Sequence, residues 1–377
     1  MTTASTELRI ERETEALEDP VRFRRLDVDD AMAVSGAGLS AFCLVWLVYE
    51  RLTPLSGVLG FWLSWYGVFV AVYWLVARER SGPLAAADRV ATVVLTTAGL
   101  CLLVPLTLIV GYTAYRGWAA LRPTFFVKDL RYTGSLSKAT DGGGAHVIVG
   151  TLEQVGLAVL ISVPLGVATA VFLNEVGGRL ARPVRLIVDT MSAIPSIVAG
   201  LFIFAVIVLT FGQNGFAGAL ALSVLMLPTV TRTSEVVLRL VPGGLREASL
   251  ALGASEWRTT RDVVLPTARP GLATAVILGV ARAIGETAPL LLTIGGAFVM
   301  NADPFHGKQD ALPYFVYRLI RFPQNAQVQR AWTGALVLLA LVLVLFVIAR
   351  IIGGRGPGHA GPFKRRRRRR LDMKEHA

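Results

Sequence analysis

The chain has 377 residues, of which 54% are hydrophobic and only 17% are charged, and its mean hydropathy is +0.58. These values exclude a soluble globular domain, because they leave several apolar runs long enough to cross the ~30 Å hydrocarbon core of a bilayer. The formal net charge of +12 does not by itself indicate a nucleic-acid partner, since the cytoplasmic loops of membrane proteins carry an excess of Lys and Arg. The composition predicts an all-α, polytopic transmembrane helical bundle.

The hydropathy pattern begins with a charged cytoplasmic arm at residues 1–30. The arm has no apolar core followed by a cleavage site, so no cleaved signal peptide is expected. Eight spanning helices are predicted after it. They cover residues 31–50, 56–77, 90–115, 147–173, 187–211, 216–231, 271–299 and 331–352.

The helices fall into two groups. Residues 31–89 are interpreted as two accessory transmembrane helices, because every motif described below follows residue 90, and residues 90–352 are interpreted as a six-helix transport core. Residues 353–377 form a basic cytoplasmic tail. Its arginine run could bind the anionic headgroups of membrane lipids or nucleic acid; a positive-inside anchor explains it better, and no nucleic acid is expected.

The positions of Lys and Arg predict the orientation. With the N-terminus inside, most of the 38 Lys and Arg residues fall in cytoplasmic segments. Both termini, and the loop that follows the sixth predicted helix, are therefore expected in the cytoplasm. The outer loop between Arg116 and Ala145 includes Thr140-Asp141-Gly142-Gly143-Gly144, which is interpreted as a flexible approach to the fourth helix.

Arg282 is the clearest charge inside a predicted span. If the seventh helix enters the bilayer near Gly271, Arg282 lies roughly 16 Å deep, near the middle of the ~30 Å core. Glu286 follows at i+4 and is expected on the same helix face, where the two could pair. The planar fork of Arg suits a tetrahedral oxyanion, so both residues are candidates for a substrate pathway. A structural ion pair between helices is the alternative.

Weaker pathway candidates lie nearer the membrane edges. Arg232 and Glu235 are expected to form a pair at the cytoplasmic end of the sixth helix. Glu153 lies near the outer start of the fourth helix, and Asp189 lies near the inner start of the fifth. Each could line a pathway or face interfacial water.

Residues 245–266 form a polar, helix-forming stretch between apolar segments, and they include the run EASLALGASEWRTTRDVVLP. A short helix is predicted from Leu245 to Leu252, with Gly253 in the left-handed conformation that ends it. Ser255 can cap a second turn that carries Trp257. The prediction is a helix–turn–helix knob.

This spacing resembles the EAA loop of ABC importer permeases, on which a cytoplasmic ATPase docks. The resemblance rests on Glu247-Ala248-Ser249, Gly253 and the closing Leu265-Pro266, with Ser249 in place of the second Ala. It implies that the loop couples transport to ATP hydrolysis in another subunit. None of the Lys residues ends a G-x-x-x-x-G-K-[ST] pattern, so this chain is not expected to be an enzyme that hydrolyses ATP by that route.

A second stretch, ARAIGETAPLL at residues 281–291, is similar to the phosphate-specific branch of the same permeases. The resemblance covers about residues 90–352 and implies a MetI-like core of six helices in the bacterial plasma membrane, with Arg282 and Glu286 at the family's intramembrane charged positions. The implied partners are a homologous C-type permease subunit, a dimer of cytoplasmic ABC ATPases and an extracytoplasmic phosphate-binding protein. The implied substrate is inorganic phosphate. This chain would bind no cofactor or metal, and ATP and Mg²⁺ would bind to the ATPase.

Other functions are weighed against this one. Sulfate or molybdate is the alternative substrate, because permeases for those anions share the Arg-Ala-x-Gly-Glu portion. An ion-driven secondary transporter would also need intramembrane charges but has no reason to carry the coupling loop. A membrane enzyme would need a nucleophile or a metal cluster, and the scattered His and Cys residues do not indicate one.

Overall fold

The computed structural model describes residues 28–54 and 56–353, and it confirms an all-α chain. The main helices are α1 (Val28–Leu47), α2 (Val58–Gly117), α3 (Ala145–Val171), α4 (Ala181–Ala193), α5 (Ser196–Ile203), α6 (Gly215–Arg239), α7 (Gly243–Ala251), α8 (Glu256–Thr259), α9 (Leu265–Ile284), α10 (Ala288–Thr293), α11 (Leu312–Leu319) and α12 (Asn325–Gly353). Most of the predicted charged arm and the basic tail after Gly353 lie outside the described residues.

Within the described ranges, six helices are long and apolar enough to cross a membrane, or up to seven if a bent pair counts as one span. The segment Val58–Ala120 counts there as one helical run of 63 residues, but its backbone leaves helical geometry at Gly82, so it is two helices joined at a kink. At ~1.5 Å per residue this run has length for two spans of a ~30 Å hydrocarbon core. Counting the run as two spans and the bent pair as one gives the eight spans that the sequence predicts.

The predicted connector between the second and third helices is itself helical. Residues 78–89 continue α2, and the helix departs from helical geometry only at Gly82 (φ 81°), which precedes Pro83. The prediction of two helices is therefore confirmed in number, but its boundaries at 56–77 and 90–115 are wrong, because the two helices meet at Gly82. Ala and Arg residues favour helix between the two apolar runs, and the Gly-Pro pair is where one helix ends and the next begins.

The chain divides into two compact units, Met1–Leu108 and Ile109–Ala377, and the boundary lies within α2. In the first unit, α1 packs on α2 through small residues opposite aromatic ones: Ala33, Ala37 and Ala41 are buried with Phe69 and Tyr73. Small residues allow two membrane helices to approach closely. The functional division at residue 90 stays a prediction, because packing does not test it.

In the second unit, α6 is the central helix. A Cβ added at Gly166 of α3 would lie 3.0 Å from the Val230 side chain, and one added at Gly279 of α9 would lie 2.7 Å from the same side chain. Glycines on both neighbours thus let α3 and α9 pack against one face of α6. The cluster around Val230 also contains Leu222 and Met226, and it forms the core that positions the sites below.

The predicted fifth helix, 187–211, is two helices. The pair Ala181–Ala193 and Ser196–Phe211 is bent by 104°. Ile194 is extended (φ −69°, ψ 125°) and precedes Pro195, the N-cap of α5. A residue before proline is disfavoured in the helical region, so the chain turns here.

The predicted seventh helix, 271–299, is also wrong at both ends, since α9 runs from Leu265 to Ile284 and α10 follows as a separate helix. Pro289 has no N–H to donate to the carbonyl of Gly285, which weakens the helix at that point. Gly295 and Gly296 have φ values of 77° and 72°, and this left-handed backbone prevents α10 from continuing. The apolar run continues through these residues, but the helix does not.

The outer loop is folded and is not the flexible approach expected from its glycines. A Cβ at Gly143 would lie 2.5 Å from the carbonyl oxygen of Lys128, so the glycine is required by close backbone packing. Phe125 and Leu130 of this loop are buried with residues of α11 and α12. The buried guanidinium of Arg330 donates to the carbonyls of Ser137, Lys138 and Asp141 at 3.4, 2.7 and 3.3 Å.

Candidate functional site

The knob predicted at residues 245–266 is confirmed as a helix–turn–helix, and we call residues 243–266 the coupling loop after the role that the resemblance implies. α7 ends at Ala251, and Gly253 has φ 83° with its N–H bonded to the carbonyl of Leu250 at 2.9 Å. The Ser255 hydroxyl accepts a hydrogen bond from the N–H of Arg258 at 3.4 Å and caps α8. A π-helical turn, Thr260–Val264, leads into α9, which begins with Leu265 and Pro266.

The coupling loop presents apolar side chains to its surroundings. Leu252 is 89% exposed and Trp257 is 66% exposed, and Glu247 and Ala248 beside them are also exposed. The opposite side is covered, since Thr260 and Val264 are buried. A rigid element that exposes large apolar residues next to a charged one is typical of a surface that binds another protein.

Polar contacts of Ser249 and of Arg246 hold α7 in place, and the sequence does not reveal them. The hydroxyl oxygens of Ser249 and Thr259 lie 2.9 Å apart. Arg246 donates two hydrogen bonds to Glu175, from Nη2 at 2.8 Å and from Nε at 3.2 Å. Arg246 directly precedes the EAA-like motif, but no sequence signal connects it with a carboxylate that lies 71 residues away.

Arg282 lies in the last turn of α9 and is exposed at the surface of the isolated chain. Its Nη1 donates to the hydroxyl of Thr229 on α6 at 3.4 Å. The N–H of Glu286 bonds to the carbonyl of Ala283 at 3.2 Å, beyond the helix end at Ile284. The expected i,i+4 pairing of Arg282 and Glu286 on one helix is therefore wrong. The described part of the chain contains no ion pair between Arg282 and Glu286.

Glu286 lies in a break between two helices, after the end of α9 at Ile284 and before the start of α10 at Ala288. Membrane helices that are interrupted within the bilayer often border the substrate pathway, because freed polar groups are tolerated only where they line a cavity or are buried in protein. Gly200 of α5 packs against this break, since a Cβ there would lie 2.6 Å from Cα of Pro289. Arg282 is thus a cation at the edge of an irregular segment.

The predicted pair of Arg232 and Glu235 is confirmed as part of a larger cluster. The Glu235 side chain is only 3% exposed, and it accepts from Arg232 at 3.2 Å. Arg185 and Arg239 also donate to it, at 2.8 and 2.5 Å. Asp189 of α4 joins the cluster through an ion pair with Arg232. These five residues hold α4 against α6 near the bend before α5.

Glu153 lies elsewhere, in the N-terminal half of α3. Its carboxylate accepts a hydrogen bond from Gln309 at 2.7 Å, and Gln309 in turn accepts one from the buried Gln154 at 3.2 Å. Beside this network, the buried Asp310 bonds to Arg318 at 2.5 Å. Burial raises the pKa of Asp310 to about 7, although Arg318 and the N–H of Ala311 act to lower it. The structure therefore does not bring Glu153 together with Arg282 or with the Glu235 cluster.

Residues 162–355 match the family described as binding-protein-dependent transport system inner membrane component. The chain is 41% identical over 290 residues to "Phosphate transport system permease protein PstA 1" of Mycobacterium tuberculosis (strain ATCC 25618 / H37Rv), an alignment that covers 76% of this chain and 91% of that protein. It is 36% identical over 213 residues to "Phosphate transport system permease protein PstA" of Pasteurella multocida (strain Pm70), an alignment that covers 56% of this chain and 76% of that protein. A solved inward-facing MetNI methionine ABC transporter is similar at 27% identity over 56% of this chain and 94% of that one, with a TM-score of 0.44.

Proposed function

Because this chain belongs to the family of binding-protein-dependent transport system inner membrane components, we propose that it is the permease subunit of an ATP-driven importer of inorganic phosphate. The assignment of phosphate as the substrate rests on the 41% identity to a phosphate transport permease over 91% of that protein's length. The exposed coupling loop supports dependence on ATP, because a permease without its own ATPase needs a surface on which a motor can dock.

The proposed assembly contains this chain, a homologous permease subunit, a dimer of cytoplasmic ABC ATPases that bind ATP and Mg²⁺, and an extracytoplasmic phosphate-binding protein. It lies in the bacterial plasma membrane, with both termini of this chain in the cytoplasm. The exposure of Trp257 and Leu252 supports docking of the ATPase on the coupling loop. The distribution of Lys and Arg supports the orientation.

Arg282 is proposed as the main contact for the anion. Its guanidinium is exposed on the isolated subunit and is held by the Thr229 hydroxyl, which leaves most of its donors free for a ligand. A permanent positive charge compensates the loss of hydration when phosphate enters a path of low dielectric constant. Glu286 stays a pathway candidate beside the helix break, where a negative charge would keep anion binding weak enough for release.

The test is uptake of radiolabelled phosphate by proteoliposomes that contain this chain with its co-purified partner subunits and the binding protein. Uptake should require ATP inside the vesicles and should persist when ionophores collapse the ion gradients. Excess unlabelled phosphate should compete, whereas sulfate and molybdate should not. Uptake that needs no ATP and that ionophores abolish would show an ion-driven transporter. Competition by sulfate but not by phosphate would show that phosphate is not the substrate.

A further inference from the structure

Arg246 stands out among the residues of the coupling loop because it contacts the ends of two other helices at once. It lies in α7, and its Nη2 and Nε donate to Glu175 at the cytoplasmic end of α3. Its Nη2 also donates to the carbonyl of Leu238 at 2.9 Å, and its Nη1 donates to the carbonyl of Val241 at 2.8 Å. Leu238 lies near the C-terminal end of α6, and Val241 follows that helix. One guanidinium therefore joins α7 to both α3 and α6.

Few other side-chain contacts attach α7 to the rest of the chain, apart from its short covalent connections. None of its residues is fully buried, so it lacks the apolar anchors that fix most surface helices. Ser249 contacts Thr259, which belongs to the same coupling loop. The side chain of Arg246 is 24% exposed, and that of Glu175 is 11% exposed, so the pair is sheltered from water on the inner side of α7.

The acceptor is positioned by an irregular helix end. Phe172–Val176 forms a π-helical turn that closes when the N–H of Gly177 bonds to the carbonyl of Phe172 at 2.8 Å. Within this turn, Asn174 donates to Glu175 at 2.6 Å and orients its carboxylate. Directly beside it, residues of α3, α6 and α9 share one buried cluster, which contains Ala170, Leu238, Val241, Val264 and Ala268.

We propose that Arg246 is the positioning residue through which a displacement of the coupling loop moves α3 and α6, with Glu175 as its fixed partner. This inference rests on the proposed function, because it takes the coupling loop to be the element that the ATPase moves. A bidentate arginine–carboxylate pair has a defined direction, whereas apolar surfaces can slide past one another. The two carbonyl bonds extend the same constraint to α6.

The experiment uses the assembled transporter in proteoliposomes and measures phosphate taken up per ATP hydrolysed, which we call the coupling ratio. Arg246→Gln and Glu175→Gln each remove one charge of the pair, and we expect each to lower the coupling ratio by about tenfold while ATP hydrolysis continues. The double variant should be no worse than either single variant, because both changes break the same contact. Arg179→Gln is the matched control, since Arg179 is exposed on the same loop of the chain as Glu175.

Each result has a distinct meaning. A loss of uptake and ATP hydrolysis in equal proportion, with an unchanged coupling ratio, would show that the pair only maintains the amount of active transporter, and the proposal would be overturned. If neither Gln variant assembles with the ATPase, Arg246→Lys decides, because it keeps the charge but cannot make all four hydrogen bonds. A lowered ratio in that variant supports the link, and a wild-type ratio overturns it. An active wild-type assembly is the precondition: absence of ATP-driven phosphate uptake there would refute the proposed function itself.

Discussion

The hydroxyl oxygens of Ser249 and Thr259 lie 2.9 Å apart and join the two short helical segments of the coupling loop. Ser249 occupies the position where the EAA pattern usually has its second Ala. An alanine could not make this bond, so the substitution gives the loop an internal constraint that the usual motif lacks. Together with the turn at Gly253, the bond fixes the angle at which α7 and α8 are presented.

Gly253→Val should impair the coupling loop without preventing membrane insertion. The residue has φ 83° and open space around it, so the penalty comes from the backbone and not from a clash. A left-handed conformation costs a residue with a Cβ roughly 1–2 kcal/mol. We expect about tenfold weaker association with the ATPase and a matching loss of uptake. Gly244→Val is the control, since Gly244 lacks a positive φ and also has open space. Equal association of both variants with the ATPase would contradict the prediction.

Arg282→Gln should lower the rate of phosphate uptake by about 100-fold or more, because the anion would lose its compensating charge in the low-dielectric path. Arg282→Lys keeps a charge but loses the planar fork, and we expect a loss of about tenfold. Uptake is measured at matched protein levels, with co-purification of the ATPase as the check on assembly. Arg269→Gln, an exposed site on the same helix, is the control. Wild-type uptake by Arg282→Gln would show a structural role for Arg282.

Deletion of residues 1–77, with a start methionine supplied, should leave ATP-driven uptake intact. Every site described above lies after residue 90, and the retained chain begins four residues before the kink at Gly82. It removes the first apolar helix and the first apolar half of α2, which preserves the orientation of the rest. Uptake should stay within about threefold of wild type, a small change on the scale of coupling effects. An assembled but inactive variant would show that the accessory helices belong to the pathway.

Gly143→Ala should destabilise the outer loop, since its Cβ would lie 2.5 Å from one backbone carbonyl oxygen and 2.7 Å from another. Overpacking of this kind costs roughly 1–3 kcal/mol. Gly134→Ala is a matched control in the same loop, because its Cβ would meet only the Ser137 hydroxyl at 3.6 Å. Thermal unfolding of the purified chain should show a lower Tm for Gly143→Ala alone. Equal Tm values would mean that the loop relaxes without cost.

The buried Asp310 should make stability depend on pH. Its pKa is raised from 3.8 to about 7, so between these values the native state keeps a proton that the unfolded state has released. Raising the pH through this window therefore favours unfolding. The Tm of wild type should fall more between about pH 5 and about pH 7 than that of Asp310→Asn, which has no proton to lose there.

Asp303→Asn is the control for that measurement. Hydrogen bonds from the N–H of Phe305 and from His306 lower the pKa of Asp303 below 3.8, so its ionisation lies outside the window. This variant should follow the wild-type pH dependence. If Asp310→Asn also follows it, Asp310 is ionised throughout as a partner of Arg318.

Local sequence signals predict the coupling loop well, because a left-handed glycine and a serine cap act within a few residues. The ends of the long helices are harder to predict. Hydropathy remains high from Gly271 to Val299, yet α9 ends at Ile284, and this end separates Glu286 from Arg282. The Gly295-Gly296 pair then ends the short helix that follows. The connector at residues 78–89 shows the opposite case, since its charged residues end the apolar pattern while the chain stays helical on both sides of the kink at Gly82.

Contacts between distant parts of the chain could not be predicted. Glu175 and Arg246 are 71 residues apart, and Arg185 and Glu235 are 50 residues apart. Each pair forms only because α3, α4 and α6 pack together, and a single sequence contains no signal for that packing. The sequence therefore predicts the local structure of the coupling loop, but not how this loop is attached to the rest of the chain.

The clamp that Arg330 makes on the outer loop does not depend on pH as an ion pair would. Its hydrogen bonds go to the backbone carbonyls of Ser137, Lys138 and Asp141, which are groups that do not titrate. An arginine stays charged at any physiological pH. In the proposed orientation this loop lies outside the cell, so a change in external pH would leave these hydrogen bonds in place.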